Sequence, residues 1–573
     1  MPSSLGARLS AASGTLVVMT DVEEVRYGAA FAGLDPVALG DSLRTVSLRL
    51  ARDPVRLARA MANLWRRQAL VGLDAARRAL VDDPEPQPVT PSDRRFADRA
   101  WRGNAALRAT AESYLAFSEW ARELVAGVDL PAETARKARF ATSLLLDALA
   151  PSNNPFLNPA VVKEAIDSGG RSLSRGLAQF LDDVATNGGR PRQVDTSPFT
   201  VGGNLAATPG RVVLRNRMIE LLAYEPQTPE VRAEPIVCSP PWINKYYIMD
   251  LAPERSFIEY AVQHGFTVFA ISYVNPDSSM AAVTMDDYLR DGLLAAIDRA
   301  GEITGAERVN IVGLCLGGTL ATIALAYLAA QGEAGRVGWT TLTNTLVDFS
   351  EPGDLGVFTD EATVRSLEQK MRARGFLEAS EMSGTFDWMR GNDLVWNYVV
   401  ENWYMGKRPP AFDILTWNAD STRMPATMHS QYLRTCYMEN RLVRPSAFSI
   451  LGTPIDLSKV ETPMYVLAAE ADHIAPWRSA YATTQAIGGD VRFTLTNSGH
   501  IAGIVNPPGN PKAAHWARDG CPADPEAWLA AAERRTGSWW EHWVRWAEAR
   551  SGPLVGPPTL PEGDAAPGTY VLG

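Results

Sequence analysis

A cysteine set between glycines, Gly313-Leu-Cys315-Leu-Gly317, is the point of this chain best suited to covalent chemistry. An apolar run, Val309-Asn-Ile-Val-Gly-Leu314, leads into it, and a helix-compatible run through Thr319-Leu-Ala321 leads out. Strand, tight turn and helix in that order form a G-x-S-x-G nucleophile elbow, here with cysteine in place of serine. The glycines permit the turn without side-chain clashes. The helix N-terminus behind it favours a thiolate and a developing oxyanion. The competing reading, a small buried hydrophobe, has no need of flanking glycines.

A nucleophile of this kind needs a base, and the base an orienting acid, in the chain order nucleophile, acid, histidine. The strand-like run Met464-Tyr-Val-Leu-Ala-Ala469 is followed by Asp472, and Val491-Arg-Phe-Thr-Leu-Thr496 by Ser-Gly-His500. Both residues fall where loops leave the carboxyl ends of strands, where open α/β sheets place their sites. Asp472 is the candidate acid and His500 the candidate base. Asp348 also follows a strand and is the alternative acid, and His429 is the competing base. His473 adjoins Asp472 and fits orientation or packing better, while His515 and His542 read as loop and surface helix. His264, before Gly265 at a helix end, fits a carbonyl cap.

Acyl transfer also calls for backbone donors to an oxyanion. The amide of Leu316, directly after the nucleophile, is one candidate. The second is expected in the loop Ser239-Pro-Pro-Trp-Ile-Asn-Lys-Tyr-Tyr247, near Trp242 and at Ile243.

These groups must be carried by a frame, and the chain changes character near residue 200. Residues 1–199 read as mainly helical, with stretches over 97–126 and 132–149; in the second, Ala135, Ala138, Phe140, Ala141, Leu145 and Leu149 form an apolar stripe. Asp82-Asp-Pro-Glu-Pro-Gln-Pro-Val-Thr-Pro-Ser-Asp93 reads as a linker. From 200 to 573, short β-rich runs alternate with helical patterns: 212–214, 235–238, 267–273, 309–314, 340–347 and 464–469. Thr284 and Asp287 mark a helix start, with Leu289, Leu293 and Ile297 on one face. The expectation is an α/β-hydrolase-type, mostly parallel sheet with helices on both faces. A Trp/Tyr/Met-rich insertion over about 351–454 is expected to cover the site as a lid. The helix bearing Trp539, Trp540, Trp543 and Trp546 is expected to anchor on its domain, and the Pro/Gly-rich tail from Gly552 to be extended.

With 573 residues, 46% hydrophobic and 21% charged, the chain is a globular protein of more than one core. Its net charge of −10 argues against nucleic-acid binding but leaves room for an anionic substrate in a local basic channel. The four cysteines, Cys238, Cys315, Cys436 and Cys521, are too scattered for a zinc or dithiol pair and suit a reducing, cytoplasmic setting. Neither a metal nor a cofactor site is expected. The apolar run Leu16 to Met19 is too short for a signal-peptide core, and no segment reaches the ~20 apolar residues of a transmembrane span.

Several segments resemble the polyhydroxyalkanoate synthases, above all class I. They are Thr208-Pro-Gly-Arg-Val-Val213, Pro240-Pro-Trp-Ile-Asn-Lys-Tyr-Tyr-Ile-Met-Asp-Leu251, Gly313-Leu-Cys-Leu-Gly-Gly318, Asn392-Asp-Leu-Val-Trp-Asn-Tyr398, Phe412-Asp-Ile-Leu-Thr-Trp-Asn418, Asp472-His-Ile-Ala-Pro-Trp477, Ser498-Gly-His-Ile501 and Asn506-Pro-Pro-Gly-Asn-Pro511. Ala150-Pro-Ser-Asn153 and Ser168-Gly-Gly170 extend the likeness into the N-terminal part. Tyr273-Val-Asn-Pro276 departs from the family's usual Trp-Arg-Asn-Pro. The resemblance implies an acylated Cys315 with Asp472 as acid and His500 as base. The implied substrate is a short-chain 3-hydroxyacyl-CoA, such as 3-hydroxybutyryl-CoA, polymerised to polyester with release of CoA. It further implies a homodimer, and a cytoplasmic enzyme at the surface of polymer granules with their associated proteins. A granule or dimer role would then fall to the N-terminal region. The triad alone would equally suit a cysteine thioesterase or esterase, and a non-catalytic granule protein is the remaining alternative.

Overall fold

The computed structural model describes residues 36–79, 89 and 93–573. Leu16 to Met19 and, apart from Val89 and Asp93, the proline-rich segment 82–93 lie outside the described residues. The chain divides into two compact units: residues up to Gln193 with Ser380–Pro410, and Val194–Ala379 with Ala411–Gly573.

The first unit is helical: α1 Pro36–Ala51, α2 Pro54–Ala79, α3 Ala105–Ala126, α4 Ala132–Leu149, α5 Pro159–Asp167 and α6 Arg171–Thr186. The expected long helix over 97–126 is interrupted because Asn104 turns extended and caps α3, accepting the amides of Ala106 and Leu107. On α4 the buried stripe is rotated from the expected one. Ala138, Ala141 and Leu146 face inward, while Leu145 and Leu149 are exposed. The apolar type of those two leucines misplaced the seam.

The expected insertion over 351–454 is divided between the units. Ser380–Pro410 belongs to the helical unit because of how α6 receives it. A Cβ on Gly176 would lie 2.0 Å from the Trp403 carbonyl oxygen, so only glycine admits that backbone. Trp403 meets Phe180 edge-on at 4.9 Å and donates its indole N–H to the buried Asp183 at 2.8 Å.

The second unit is built on a ten-stranded sheet: β1 Gly210–Arg215, β2 Ile219–Tyr224, β3 Ile236–Ser239, β4 Val268–Tyr273, β5 Val309–Leu314, β6 Val337–Thr343, β7 Met464–Ala469, β8 Val491–Thr496, β9 Ala514–Ala517 and β10 Glu533–Thr536. Their spatial order is 1-2-4-3-5-6-7-8-9-10. The central strands β4-β3-β5-β6-β7-β8 run parallel, and β1, β2, β9 and β10 add antiparallel edges. This is the α/β-hydrolase-type sheet the sequence predicts. The central strands β3, β5 and β7 are buried residue by residue, as continuous apolar runs in a doubly covered sheet should be.

Helices that matter for the site are α7 Ala295–Thr304, α8 Leu316–Ala330, α9 Asp413–Ala419, α10 Ala426–Tyr432, α11 His500–Ile504 and α12 Trp539–Glu548. The start signal at Thr284 is a true capping box with Asp287, and it opens a wider, π-type stretch that runs into α7. The sixth strand ends at Thr343, earlier than the expected 347, because Asn344 turns to φ +48°. The tail is fixed as well as extended: fully buried Glu220 accepts the backbone N–H groups of Thr569 and Tyr570. Among the described residues no helix is long and apolar enough to cross a membrane.

Candidate active site

Cys315 stands between β5 and α8 with φ 50° and ψ −116°, a strained turn that only dense surroundings can hold. Its N–H donates to Thr343 C=O at 2.9 Å, and its own carbonyl accepts from Gly318 N–H at 2.9 Å and from the Thr345 hydroxyl at 3.2 Å. The flanking glycines are required by close approach. A Cβ on Gly317 would sit 1.9 Å from Ser239 O, and one on Gly313 2.5 Å from the Gly318 Cα. The elbow is therefore wedged against the end of β3, leaving Cys315 partly exposed. The other thiols are held protonated by burial, which pushes Cys238 far up, Cys436 up to about 12, and Cys521 up less.

Asp472 and His500 meet at this turn. His500 opens α11 after β8, and its Nδ1 lies 2.6 Å from Asp472 Oδ2. The Asp472 side chain is fully buried, and its Oδ1 accepts the N–H groups of Ile474 and Ala475, each at 2.9 Å. The Cys315 side chain is near enough to His500 to raise the ring's pKa, and with Nδ1 engaged by Asp472, Nε2 is the nitrogen left to face the sulfur. Burial works against a charge on the ring. The hydrogen-bonded Asp472 carboxylate and the nearby Cys315 sulfur outweigh it and hold the imidazole well above its ordinary pKa. A protonated imidazolium is the state such surroundings favour for the ring.

The rivals sit elsewhere. Asp348 accepts from the Asn440 side-chain amide at 2.8 Å and from Ser350 N–H at 2.9 Å. His429 is buried on α10, and that burial lowers its pKa to about 4, with its Nδ1 lacking a hydrogen-bond partner. His264 donates its Nδ1–H to the Tyr260 carbonyl at 2.7 Å, the helix-end role expected of it. His473 lends its backbone carbonyl to Asp354 N–H. His515, expected in a loop, is instead buried on β9, and its ring lies 5.5 Å from that of His542. Its four-residue length, just before a Gly/Pro-containing turn, hides that strand from the sequence pattern.

Leu316 is the first residue of α8, where helical N–H groups have no intrahelical acceptor. Ile243 lies in the loop after β3, between Trp242 and Asn244. The sequence did not point to the residues that hold these groups in place. Asn344 donates its side-chain amide to the His500 carbonyl. Trp539 and Trp540 of α12 donate their indole N–H groups to Gly503 O at 2.7 Å and Ile504 O at 3.0 Å, capping the short helix that begins with His500. The anchoring expected of this tryptophan-rich helix is thus directed at the histidine's own support. Tyr432 and Tyr437 lie within electrostatic reach of the sulfur; the first packs edge-on against Trp242 at 5.7 Å, the second against Phe349 at 4.9 Å.

Comparison with known proteins gives two family matches. Residues 92–261 match the family described as "Poly-beta-hydroxybutyrate polymerase (PhaC) N-terminus", and residues 244–507 match "alpha/beta hydrolase fold". The chain is 42% identical to poly(3-hydroxyalkanoate) polymerase 2 of Ectopseudomonas oleovorans, over 95% of this chain and 96% of that one. It is 42% identical to the poly(3-hydroxyalkanoate) polymerase of Methylorubrum extorquens, over 92% and 89%. It is also 42% identical to the poly(3-hydroxyalkanoate) polymerase subunit PhaC of Cupriavidus necator, over 80% and 78%.

Proposed function

The chain belongs to the poly(3-hydroxyalkanoate) polymerase family and is an acyltransferase; on that premise we propose that it polymerises short-chain (R)-3-hydroxyacyl-CoA, such as 3-hydroxybutyryl-CoA, through an acyl-Cys315 intermediate. The observation that carries this reading is the buried His500–Asp472 pair beside Cys315 at a glycine-wedged elbow.

In the first half-reaction the Cys315 thiolate attacks the thioester carbon, and the oxyanion is received by the amides of Leu316 and Ile243. The C–S bond to CoA breaks, and the CoA thiolate takes the proton held on His500. One thioester replaces another, so little driving force is needed and no cofactor is called for. In the second half-reaction His500 takes the proton of a 3-hydroxyl group, whose oxygen attacks the acyl-cysteine. An ester C–O bond forms, the C–S bond to Cys315 breaks, and the thiolate returns beside the imidazolium. Asp472 holds the ring with Nε2 toward the reacting atoms throughout and stabilises its charge.

Water competes with the hydroxyl at the acyl-cysteine. Trp242, Phe349, Tyr432 and Tyr437, packed edge to face around the sulfur's side of the sheet, favour exclusion of water and hence ester formation over hydrolysis. The same reading makes the enzyme a cytoplasmic homodimer working at the surface of its own polymer granule.

Intact-protein mass spectrometry after exposure to 3-hydroxybutyryl-CoA tests the proposal. The expected result is an adduct at Cys315 that grows in hydroxybutyryl steps, and none in Cys315→Ala. Free 3-hydroxybutyrate with no polymer would make the protein a thioesterase. Unchanged turnover in Cys315→Ala would remove the covalent mechanism altogether.

A further inference from the structure

We propose that Thr422 is a positioning residue for the oxyanion site: its hydroxyl locks the Ile243 amide in direction and ties that amide to the insertion, an inference that rests on the acyl-cysteine reading above. The Thr422 hydroxyl donates to Trp242 C=O at 3.1 Å and accepts from Asn244 N–H at 3.0 Å. Because a peptide group is planar and trans, Trp242 C=O and Ile243 N–H belong to one rigid plane and point opposite ways. Fixing the carbonyl on one side therefore fixes the amide proton on the other. The second bond fixes the next plane, Ile243 C=O with Asn244 N–H. One hydroxyl thus sets both peptide groups flanking Ile243.

Asn244 lies at φ +65°, in the left-handed region that glycine and asparagine enter most readily, and its N–H is held there by the Thr422 hydroxyl. A flip of the 242–243 peptide would break the Thr422–Trp242 bond, turn the Ile243 N–H away and bring the Trp242 carbonyl oxygen toward a developing negative charge.

Thr422 is itself buried and held from both sides. Upstream, the Trp417 indole donates to Lys245 C=O at 2.7 Å, and Asp420 takes both the Lys245 ammonium at 2.7 Å and the Tyr247 hydroxyl at 2.9 Å. Downstream, Arg423 N–H donates to the Asn275 side chain at 2.9 Å. Residues 417–423 therefore grip the loop after β3 along its length. The loop starts at the elbow, since Ser239 donates its hydroxyl to Gly317 C=O at 3.1 Å and Pro240 O closes on the same glycine. Displacement of residues 417–423 would unlatch the amide, so the oxyanion site is complete only when this part of the insertion is seated.

The test compares Thr422→Val with Thr422→Ser in the full-length enzyme. Two rates are read: acylation of Cys315 by 3-hydroxybutyryl-CoA in a single turnover, and alkylation of Cys315 by iodoacetamide, a displacement that builds no oxyanion. The valine variant is expected to acylate about 10- to 100-fold more slowly. Its alkylation rate and KM should stay within about three-fold of wild type, and serine should restore acylation to the same margin. Should the valine variant fail to fold, Thr422→Ala removes the hydroxyl without adding an apolar branch against the loop. Acylation at the wild-type rate, a parallel fall in alkylation, or no rescue by serine would each overturn the role of Thr422. A wild-type enzyme that never carries the adduct would instead overturn the acyl-cysteine reading and leave Thr422 without a function to position.

Discussion

Replacing Asp472 with asparagine separates charge from shape at the site. The Asp472 side chain is fully buried, with Oδ2 on His500 Nδ1 and Oδ1 on two backbone N–H groups. An asparagine carbonyl can keep the two backbone bonds, so the loop after β7 should hold its shape and the melting temperature should fall little. The NH2 group then faces Nδ1 and forces that nitrogen to accept, which puts the ring's proton on Nε2. A ring in that tautomer cannot take a proton from sulfur or from a 3-hydroxyl. The imidazolium also loses its counter-charge: with about 4 Å between charge centres and an effective dielectric near 20, Coulomb's law gives about 4 kcal/mol, or roughly 10³-fold in rate. His500 loses the largest influence raising its pKa and drifts in the direction burial already pushes it. Rapid-quench measurement of CoA thiol release over a pH series reads both effects, and Asp348→Asn is the comparison, since that carboxylate holds Asn440 and Ser350 instead. A loss of less than ten-fold in Asp472→Asn, or a larger loss in Asp348→Asn, would show the acid has been misassigned.

Two further outcomes follow from packing and from linkage. Gly317→Ala places a Cβ about on top of Ser239 O, so α8 must recede from β3; turnover should fall by about 10²-fold with about 1–3 kcal/mol of stability, and a variant retaining a third of wild-type activity would mean the elbow tolerates the shift. Burial lowers the pKa of His429 to about 4, below the 6.5 of an exposed ring, so the unfolded chain takes the proton first and stability is lost as pH falls from about 6.5 to 4. His429→Met should reduce that acid-side loss by up to about 3 kcal/mol in urea unfolding at pH 7 and 4.5; an unaltered drop would mean the ring does not stay neutral in the folded protein.

What could be read from the sequence divides along a physical line. Cys315, Asp472 and His500 are legible because each ends a strand whose apolar run announces it, and a parallel sheet brings the ends of β5, β7 and β8 to one edge. The central strands are legible for the same reason. The antiparallel strands are legible only in part: the run 212–214 lies within β1, whereas β9 is only four residues long and its His515 reads as loop. The insertion misleads because composition marks it as one segment, whereas its middle follows Gly176 and Trp403 into the helical unit.

The residues that hold the site are hidden for a different reason. Asn344, Trp539, Trp540 and Thr422 act on backbone atoms: the carbonyls of His500, Gly503, Ile504 and Trp242, and the amide of Asn244. A backbone acceptor leaves no mark on the sequence at its own position, so no spacing rule connects donor to target across dozens or hundreds of residues. On the proposed mechanism the chemistry would depend on them, since an imidazole or amide is useful only within a few tenths of an ångström of its place. Thr422 and the two tryptophans, more than a hundred residues apart in sequence, divide the task on that mechanism: one sets where negative charge is received, the others where the proton is held. Loosening either should lower the rate of acyl transfer while leaving the sulfur chemically intact, which separates placement from reactivity in this enzyme.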